Sequence, residues 1–277
     1  MIGFVAEDMG GANLVLHHAK HTKSDKTIFA FGPAKNLCKL LDLESFLTND
    51  TECNFDLIIA GANFKNSKKT SDKLLTNFVK KKIPIHGYLD GWEFLNERFK
   101  HTNIENYLVT DDYAFRIVTE FYPGKVKLVR NYYFEQVKSD LRILQDGTEI
   151  DLTGSILYLT QPNILNNSNW LELMHGQDCI CNDLFKIKDL LKPKKIIVRD
   201  HVRLDSLKCI SFFRRIDNTN LDYTYATSPL ANDLVKCGVV CGPPNPALFL
   251  AQQIGLATFT TKQLPRDWRG PNFIFLN

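Results

Sequence analysis

The feature that most constrains this chain is a regular alternation of short apolar runs with longer amphipathic stretches. In the first half, the apolar runs predict strands of about five residues, over 2–6, 27–31, 56–60, 83–88, 107–110 and 126–129. The stretches between them have the apolar spacing of helices, over 13–21, 34–43, 71–81, 93–99 and 112–121. Strands that alternate with helices form βαβ units, which build parallel sheets. The pattern therefore predicts an α/β fold.

The second half of the chain repeats this alternation. Strands are predicted over 155–160, 195–199, 221–225, 238–240 and 256–260, and helices within 170–191 and over 204–215, 230–237 and 246–254. Residues 144–154 are polar and contain two glycines, as expected of a linker. We therefore predict two Rossmann-like lobes with parallel sheets, residues 1–143 and 155–277, with a cleft between them.

The composition excludes several classes of function. Hydrophobic residues make up 44% of the chain and charged residues 23%, which is typical of soluble globular proteins. The net charge of +3 is too small to indicate a nucleic-acid partner. No apolar run approaches the roughly 18 residues of a membrane span, and residues 1–6 lack a basic leader, so we expect a cytoplasmic protein. Lysine clusters at 65–69, 80–82 and 192–195 are predicted to be solvated helix ends and loops. The alternative is that they attract an anionic ligand or the inner membrane surface.

Neither the cysteines nor the histidines have the spacing of metal ligands. The chain has seven cysteines, and Cys179 and Cys181 form a C-x-C pattern that no second pair at metal-like spacing accompanies. His17, His18 and His21 lie on one predicted helix with no acid or cysteine at ligand spacing. We therefore expect core thiols in a reducing compartment, packing or surface histidines, and neither a metal nor a cofactor.

Because ligands of parallel sheets bind beyond the carboxyl ends of the strands, the residues after each strand are the candidate site. Gly10, Gly11 and Asn13 follow the first strand. Paired glycines allow another group to approach the backbone closely. The pattern is not G-x-G-x-x-G, and Glu7 and Asp8 would repel a phosphate, so a sugar hydroxyl is the better ligand. A tight turn with nothing bound remains an alternative.

The fourth strand is followed by Asp90-Gly91-Trp92. Gly91 allows a sharp turn, Trp92 can exclude water, and a carboxylate in this place can act as a general base. The alternative is that Asp90 caps the following helix. Asp112, after the fifth strand, is predicted to cap its helix. The aromatic run 132–134 is predicted to pack between the lobes rather than to bind a sugar.

Two turns in the second half favour binding of an anion. Arg199, His201 and Arg203 bring three potential cations to one strand-to-helix turn, where the helix N-terminus adds positive charge. His201 can donate to a phosphate or protonate it as it leaves. The alternative is a capped loop in which Asp200 pairs with Arg203.

The second of these turns contains three prolines, which have no backbone N–H group. The residues that can still present an N–H group to a ligand are Gly242, Asn245 and Ala247.

Together these turns resemble those of bacterial GT-B glycosyltransferases of surface polysaccharide synthesis, especially the sialyltransferase and polysialyltransferase-like groups. Leu89-Asp90-Gly91 is similar to an acidic motif of that family, with one of its two acids. Asp200-His201-Val202 is similar to its His-Pro motif, without the proline. The stretch 242–246 stands where the family has a Ser/Thr motif, and it contains no hydroxyl.

The resemblance implies that Asp90 deprotonates an acceptor hydroxyl and that His201 contacts the phosphate of a nucleotide sugar. Because no glutamate follows Glu172, the chain lacks the C-terminal glutamate of common retaining GT-B enzymes. The resemblance then implies an inverting, metal-independent glycosyltransferase with a glycan or glycolipid acceptor. Two alternatives remain: a nucleotide-sugar hydrolase or epimerase on the same fold, and a GT-B-like protein that binds without catalysis.

Overall fold

The structure is a computed structural model, and its description covers most of the chain. The described residues are 1–62, 70–92, 99, 102–145, 154–160, 170–199, 222–225, 229–264 and 268–276. They divide into two compact units, residues 1–135 and 136–277. The predicted helix over 204–215 and most of the one over 93–99 lie outside the described residues, as do His201, Arg203 and most of the predicted linker.

The first unit contains a parallel sheet of six strands, as the sequence predicts. Its order is β2-β1-β3-β4-β5-β6, with β1 (Ile2–Ala6), β2 (Lys26–Ala30), β3 (Leu57–Gly61), β4 (Ile85–Tyr88), β5 (Asn106–Val109) and β6 (Val126–Leu128). The helices are α1 (Met9–His21), α2 (Ala34–Leu40), α3 (Thr70–Lys80), α4 (Asp112–Phe121) and α5 (Tyr132–Gln145), the last of which continues into the second unit. A short 3₁₀ turn covers Glu44–Phe46.

The core of the first unit forms where α1 packs on the central strands. Val15 and Leu16 of α1 are fully buried with Phe4 of β1, Ile28 of β2 and Ile59 of β3. Strands of a parallel sheet that are covered on both faces are apolar along their whole length. This explains why these strands appear in the sequence as continuous apolar runs.

The second unit contains another parallel sheet of six strands, with a different order. The order is β12-β11-β10-β7-β8-β9, with β7 (Ser155–Leu159), β8 (Lys195–Arg199), β9 (Asp222–Tyr225), β10 (Val239–Gly242), β11 (Ala257–Thr260) and β12 (Ile274–Phe275). The described helices are α6 (Trp170–Leu191), α7 (Leu230–Leu234) and α8 (Pro246–Gln253). The core lies between α6 and the sheet, where Leu184, Ile187, Ile196 and Val198 are buried.

Each sheet has a point at which the strand order reverses. It lies between β1 and β3 in the first unit and between β7 and β10 in the second. In open α/β sheets, ligands bind beyond the carboxyl ends of the strands at this switch point. The two switch points therefore define where a candidate site belongs in each unit.

Several predicted boundaries are corrected by the structure. Helix α1 begins at Met9 and not at Asn13, so the paired glycines lie in its first turn. Gly242 is the last residue of β10 and not part of the following turn. The cap of α4 is Asp111 and not Asp112, because the Asp111 side chain accepts from the Ala114 N–H.

Two elements, α5 and β12, were not among the predicted ones. Within the described part of the chain, no helix has both the length and the apolarity needed to span a membrane.

Candidate functional site

The N-terminus of α1 lies directly against the end of β3 at the first switch point. A Cβ atom on Gly11 would lie 2.9 Å from the Gly61 Cα, and one on Gly61 would lie 2.8 Å from the Gly11 carbonyl carbon. Both positions therefore need glycine, because neither backbone leaves room for a side chain. This contact places the first turn of α1 over the carboxyl edge of the sheet.

The Asp90 carboxylate lies beside the same turn of α1. A Cβ atom on Gly10 would overlap the Asp90 Oδ2 atom, while the Oδ1 atom is buried from solvent. Gly10 itself is exposed and Asp90 and Gly91 are half-buried, so the carboxylate lies close to the protein surface. The helix N-terminus carries partial positive charge, which stabilises the anionic form of a nearby carboxylate. The structure thus brings together Gly10, Gly11 and Asp90.

Asn13 lies one turn further along α1. It is half-buried, and its carbonyl oxygen accepts a hydrogen bond from the His17 Nδ1 at 2.7 Å. The role of Asn13 in binding a sugar hydroxyl stays a prediction.

Two neighbouring acids at this edge serve helix N-termini. The Glu7 carboxylate accepts from the Ser71 backbone N–H at 3.1 Å and from the Ser71 hydroxyl, at the start of α3. Asp111 accepts from the Ala114 N–H at 2.8 Å and from the Trp92 indole N–H at 2.9 Å. Both acids therefore satisfy donors at helix starts that would otherwise lack partners.

The bond to Asp111 also fixes the orientation of Trp92. The Trp92 side chain is buried, with 8% of the residue exposed. Its indole ring therefore fills the space between the end of β4 and the start of α4. This is consistent with the predicted role of Trp92 in excluding water near Asp90, which stays a prediction.

In the second unit, the end of β10 lies against the end of β7 at the switch point. A Cβ atom on Gly242 would lie 2.5 Å from the Leu159 carbonyl oxygen, so this position needs glycine for the close approach. Asn245 caps α8: its Oδ1 accepts from the Leu248 N–H at 2.8 Å and its Nδ2 donates to the Pro243 carbonyl at 2.9 Å. Ala247 lies in the first turn of α8, just after Pro246.

Arg199, at the end of β8, forms an ion pair with Asp233 of α7. The Asp233 side chain is 3% exposed and that of Arg199 is 27% exposed. Burial raises the pKa of Asp233, and the attraction of Arg199 opposes this change. Arg199 therefore carries a structural ion pair as well as its predicted contact with an anion.

A second buried carboxylate, Asp183 of α6, was missed by the sequence analysis. Its Oδ2 accepts from the Tyr158 hydroxyl at 2.8 Å and from the Thr261 hydroxyl at 2.7 Å, and its Oδ1 lies 3.2 Å from the Lys262 Nζ. One signal was available in the sequence, because Asp183 has helical spacing with the buried Ile180. A carboxylate on the core face of a helix needs partners.

The histidines of α1 take part in aromatic packing within the first unit. The His21 ring stacks on Tyr132 at 4.4 Å between centroids, and His17 meets Tyr133 edge-on at 5.2 Å. The His18 Nδ1 lies 2.9 Å from the Tyr88 hydroxyl. These contacts confirm the packing role of the histidines. Among the residues that the structure describes, no group of three or more histidines, cysteines or acids could hold a metal ion.

Comparison with known proteins supports the fold class. No protein-family profile and no curated protein sequence matches the chain. A co-structure of S. aureus MnaA with UDP matches at 8% identity and a TM-score of 0.65, covering 94% of this chain and 79% of that one.

Two further structures show the same architecture. A UDP-GlcNAc 2-epimerase from Methanocaldococcus jannaschii, in complex with UDP-GlcNAc and UDP, matches at 13% identity and a TM-score of 0.63, over 94% of this chain and 83% of that one. A glycosyltransferase from Rickettsia africae matches at 11% identity and a TM-score of 0.52, over 94% of this chain and 79% of that one.

These similarities define the class of protein that the fold represents. The chain is an α/β protein with two parallel sheets, and its structural neighbours are Rossmann-like proteins of the GT-B fold. They include epimerases and a glycosyltransferase, and they do not single out the sialyltransferase-like group. At these identities the comparison establishes the fold, and the reaction has to be argued from the residues.

Proposed function

We propose that this protein is an inverting, metal-independent glycosyltransferase that uses a nucleotide-sugar donor in surface polysaccharide synthesis. The observation that carries the proposal is the position of the Asp90 carboxylate at the end of β4. It lies against exposed Gly10 in the first turn of α1, next to the strand at which the order of the first sheet reverses.

This position suits a general base for an acceptor hydroxyl. A base must lie within hydrogen-bond reach of the proton that it accepts. The absence of a side chain at Gly10 lets the Asp90 Oδ2 atom lie against the exposed first turn of α1. Glu7 and Asp111 accept hydrogen bonds at helix starts, and we assign the role of general base to Asp90 because of its position against Gly10.

We assign the donor to the second unit, at the switch point between β7 and β10. The Ala247 N–H in the first turn of α8 and the partly exposed Arg199 can meet phosphate oxygens there. We include His201 and Arg203 in the donor site on the basis of the sequence alone. Similar folds that carry UDP or UDP-GlcNAc support a nucleotide sugar as the ligand.

The proposed reaction is a single displacement. The acceptor hydroxyl oxygen attacks the anomeric carbon, and the bond from that carbon to the phosphate oxygen breaks with its electron pair going to the phosphate. Asp90 receives the hydroxyl proton, and the cations of the second unit balance charge on the departing nucleotide. The configuration at the anomeric carbon inverts because the attack is from the opposite face.

The proposal is tested first by ligand binding. Thermal unfolding of the full chain is measured with CMP, UDP, GDP and their sugar conjugates. A ligand at 100 times its Kd adds about 2.7 kcal/mol to the free energy of unfolding, which is readily detected. If none of these ligands changes the unfolding temperature, a protein without nucleotide-dependent catalysis is the better description.

Product analysis then separates the reactions that share this fold. Transfer to a glycan acceptor in the presence of EDTA supports the proposal. Free sugar released without an acceptor would indicate a hydrolase, and a changed configuration of the donor sugar would indicate an epimerase. The Asp90→Asn variant should lower transfer by about 10²- to 10⁴-fold while its nucleotide affinity stays unchanged. The matched control is Asp25→Asn, at an exposed acid, which should transfer at the wild-type rate.

A further inference from the structure

The turn that carries Asp90 is joined to the neighbouring strand end by two hydrogen bonds, one on each side of it. Before the turn, the Leu89 N–H donates to the Leu108 carbonyl at 3.0 Å, which extends the pairing of β4 with β5. After the turn, the Trp92 indole N–H donates to the Asp111 carboxylate at 2.9 Å. Asp90 therefore lies in a short stretch that these two bonds enclose.

The bond after the turn matters because a glycine lies next to Asp90. Gly91 has a wider range of backbone conformations than other residues, so backbone pairing at Leu89 does not by itself fix the chain beyond it. The Trp92 side chain is buried, and it bonds to a carboxylate, which is a stronger acceptor than a neutral group. An anchor at Trp92 therefore limits the conformations that the turn can adopt.

The choice of acceptor distinguishes Trp92 from Trp268. A buried indole N–H needs an acceptor, and Trp268 donates to the Pro271 carbonyl, three residues along the chain, at 2.8 Å. Trp92 donates instead to a residue at the end of the next strand, 19 residues away in the sequence. A local carbonyl satisfies the donor, whereas the bond to Asp111 also joins two strand ends. The need of the indole for an acceptor therefore does not explain why the acceptor is Asp111.

Asp111 is a suitable anchor because helix α4 holds its side chain. The Oδ1 atom of Asp111 accepts from the Ala114 N–H at 2.8 Å as well as from the Trp92 indole. One oxygen atom thus caps α4 and holds the turn after β4. Groups supported by helices and strands are placed more precisely than groups on loops. The bond therefore ties the turn that carries Asp90 to a helix.

We propose that Asp111, acting through Trp92, is a positioning residue that holds the Asp90 carboxylate against Gly10. The proposal rests on the function proposed above and deepens it, because it names the residues that keep the general base in place. A catalytic group that is displaced by about 1 Å can lose about 100-fold in rate. Loss of the indole bond should therefore lower kcat, while KM for donor and acceptor stays near the wild-type value.

Two variants remove the indole bond in different ways. Trp92→Phe lacks the N–H donor, and Asp111→Ser keeps a hydroxyl that can cap α4 but is too short to reach the indole as well. Each should lower kcat by about 10- to 100-fold. The double variant should be no slower than the slower single one, because both changes remove the same bond.

Two further variants show whether the bond itself is responsible. Asp111→Asn keeps an oxygen acceptor in the same place, so its kcat should stay within about threefold of the wild type. The matched control is Asp112→Ser, which removes an exposed acid from the same helix start and should leave kcat unchanged.

A second measurement, NMR spectroscopy of the full chain, does not depend on activity. Gly10 lies next to the Asp90 carboxylate, so the resonance of its backbone N–H should shift in Trp92→Phe and Asp111→Ser but not in Asp112→Ser. In the wild type, the Trp92 indole N–H should exchange slowly with solvent. Fast exchange of this proton would overturn the proposal even if the Asp111 variants failed to fold.

The outcomes separate this proposal from the proposed function. If kcat and the Gly10 resonance are unchanged in Trp92→Phe and Asp111→Ser, the positioning role is wrong and the glycosyltransferase proposal stands. If the resonance shifts in both variants but the wild type transfers no sugar, the glycosyltransferase proposal is wrong and the positioning of Asp90 stands. If Asp112→Ser has the same effect as Asp111→Ser, the loss of charge at the start of α4 is responsible and the role of the indole bond is wrong.

Discussion

The two units contain sheets of the same size but build their carboxyl edges by different means. In the first unit, main chain meets main chain at Gly11 and Gly61, and one carboxylate lies against Gly10. In the second unit, the close contact of Gly242 is flanked by Arg199 and Lys262, two cations that buried acids hold in place. Both edges need a glycine at the close contact, and the second unit adds two cations that are paired with buried acids.

This difference shows how two sheets of the same fold can suit two kinds of chemistry. A carboxylate that lies against an exposed glycine suits proton transfer from a neutral hydroxyl. An edge with anchored cations suits an anion, because the cations are positioned before the ligand arrives. This difference is the basis for proposing that the neutral acceptor binds the first unit and the phosphate the second, and four predictions examine the two edges and the packing around them.

The largest expected effect is the loss of a charge pair in the second unit. Arg199→Met leaves the Asp233 carboxylate buried without its cation, so the free energy of unfolding should fall by about 3 kcal/mol. The measurement is unfolding in urea. The control is Lys195→Met, which breaks a pair with Asp222 whose side chains are 37% and 57% exposed and should cost below about 1 kcal/mol. Equal losses in the two variants would show that burial of Asp233 does not matter.

The next effect concerns the acid of the first unit. Gly10→Ala places a methyl group where the Asp90 Oδ2 now lies, so the carboxylate has to move. Transfer should fall about 100-fold, since small misplacements of a catalytic group have effects of this size. Steady-state kinetics would show the loss in kcat, while nucleotide affinity stays at the wild-type value. A Gly10→Ala enzyme with full activity would contradict the assignment of Asp90.

A third variant separates packing from catalysis at the same turn. In Gly11→Ala, the new methyl group would clash with the Gly61 backbone, which cannot move aside as a flexible side chain can. We expect a loss of about 1–3 kcal/mol in the free energy of unfolding. Gly10→Ala should lose less stability, because the Asp90 side chain that it displaces can move and alanine is the better helix former by about 1 kcal/mol. If both variants lose the same stability, the two glycines do not have the distinct roles inferred here.

The smallest effect is a pH dependence in the first unit. Burial, and to a smaller extent the charge of His21, lowers the pKa of His18 below its ordinary value of 6.5. Because the unfolded chain then takes up a proton more readily than the folded one, stability is lost as the pH falls from 6.5 towards the lowered pKa. His18→Gln should reduce this slope in unfolding measurements between about pH 5 and 8. If the slope is unchanged, the pH dependence of stability comes from other groups, such as His86, whose pKa is also lowered by burial.

The alternation of apolar and amphipathic stretches was sufficient to predict the α/β class and most strands. A strand that is buried on both faces is a continuous apolar run in the sequence, so it can be recognised locally. The start of α1 was missed because its first turn contains two glycines, which are poor helix formers. In the folded protein, the contact of this turn with β3 determines where the helix begins. Helix α5 begins with aromatic residues that have no strong helix preference, and these residues pack on the histidines of α1.

Residues of the candidate site were predictable one by one but not as a group. Asp90, Gly10 and Gly11 were each identified because they follow strands. Lys262 and Asp183 were not, since neither belongs to a recognisable motif and only the folded chain brings them together.

By itself, the sequence determined that the chain forms two parallel sheets, since the spacing of apolar residues is a local property. Only the tertiary structure decided the order of the strands, and with it which strand ends are neighbours. Strand order depends on packing between segments that are far apart in the chain, and local patterns do not encode it. For this reason the contact of Asp90 with Gly10 and the anchoring of Lys262 by Asp183 became visible only in the fold.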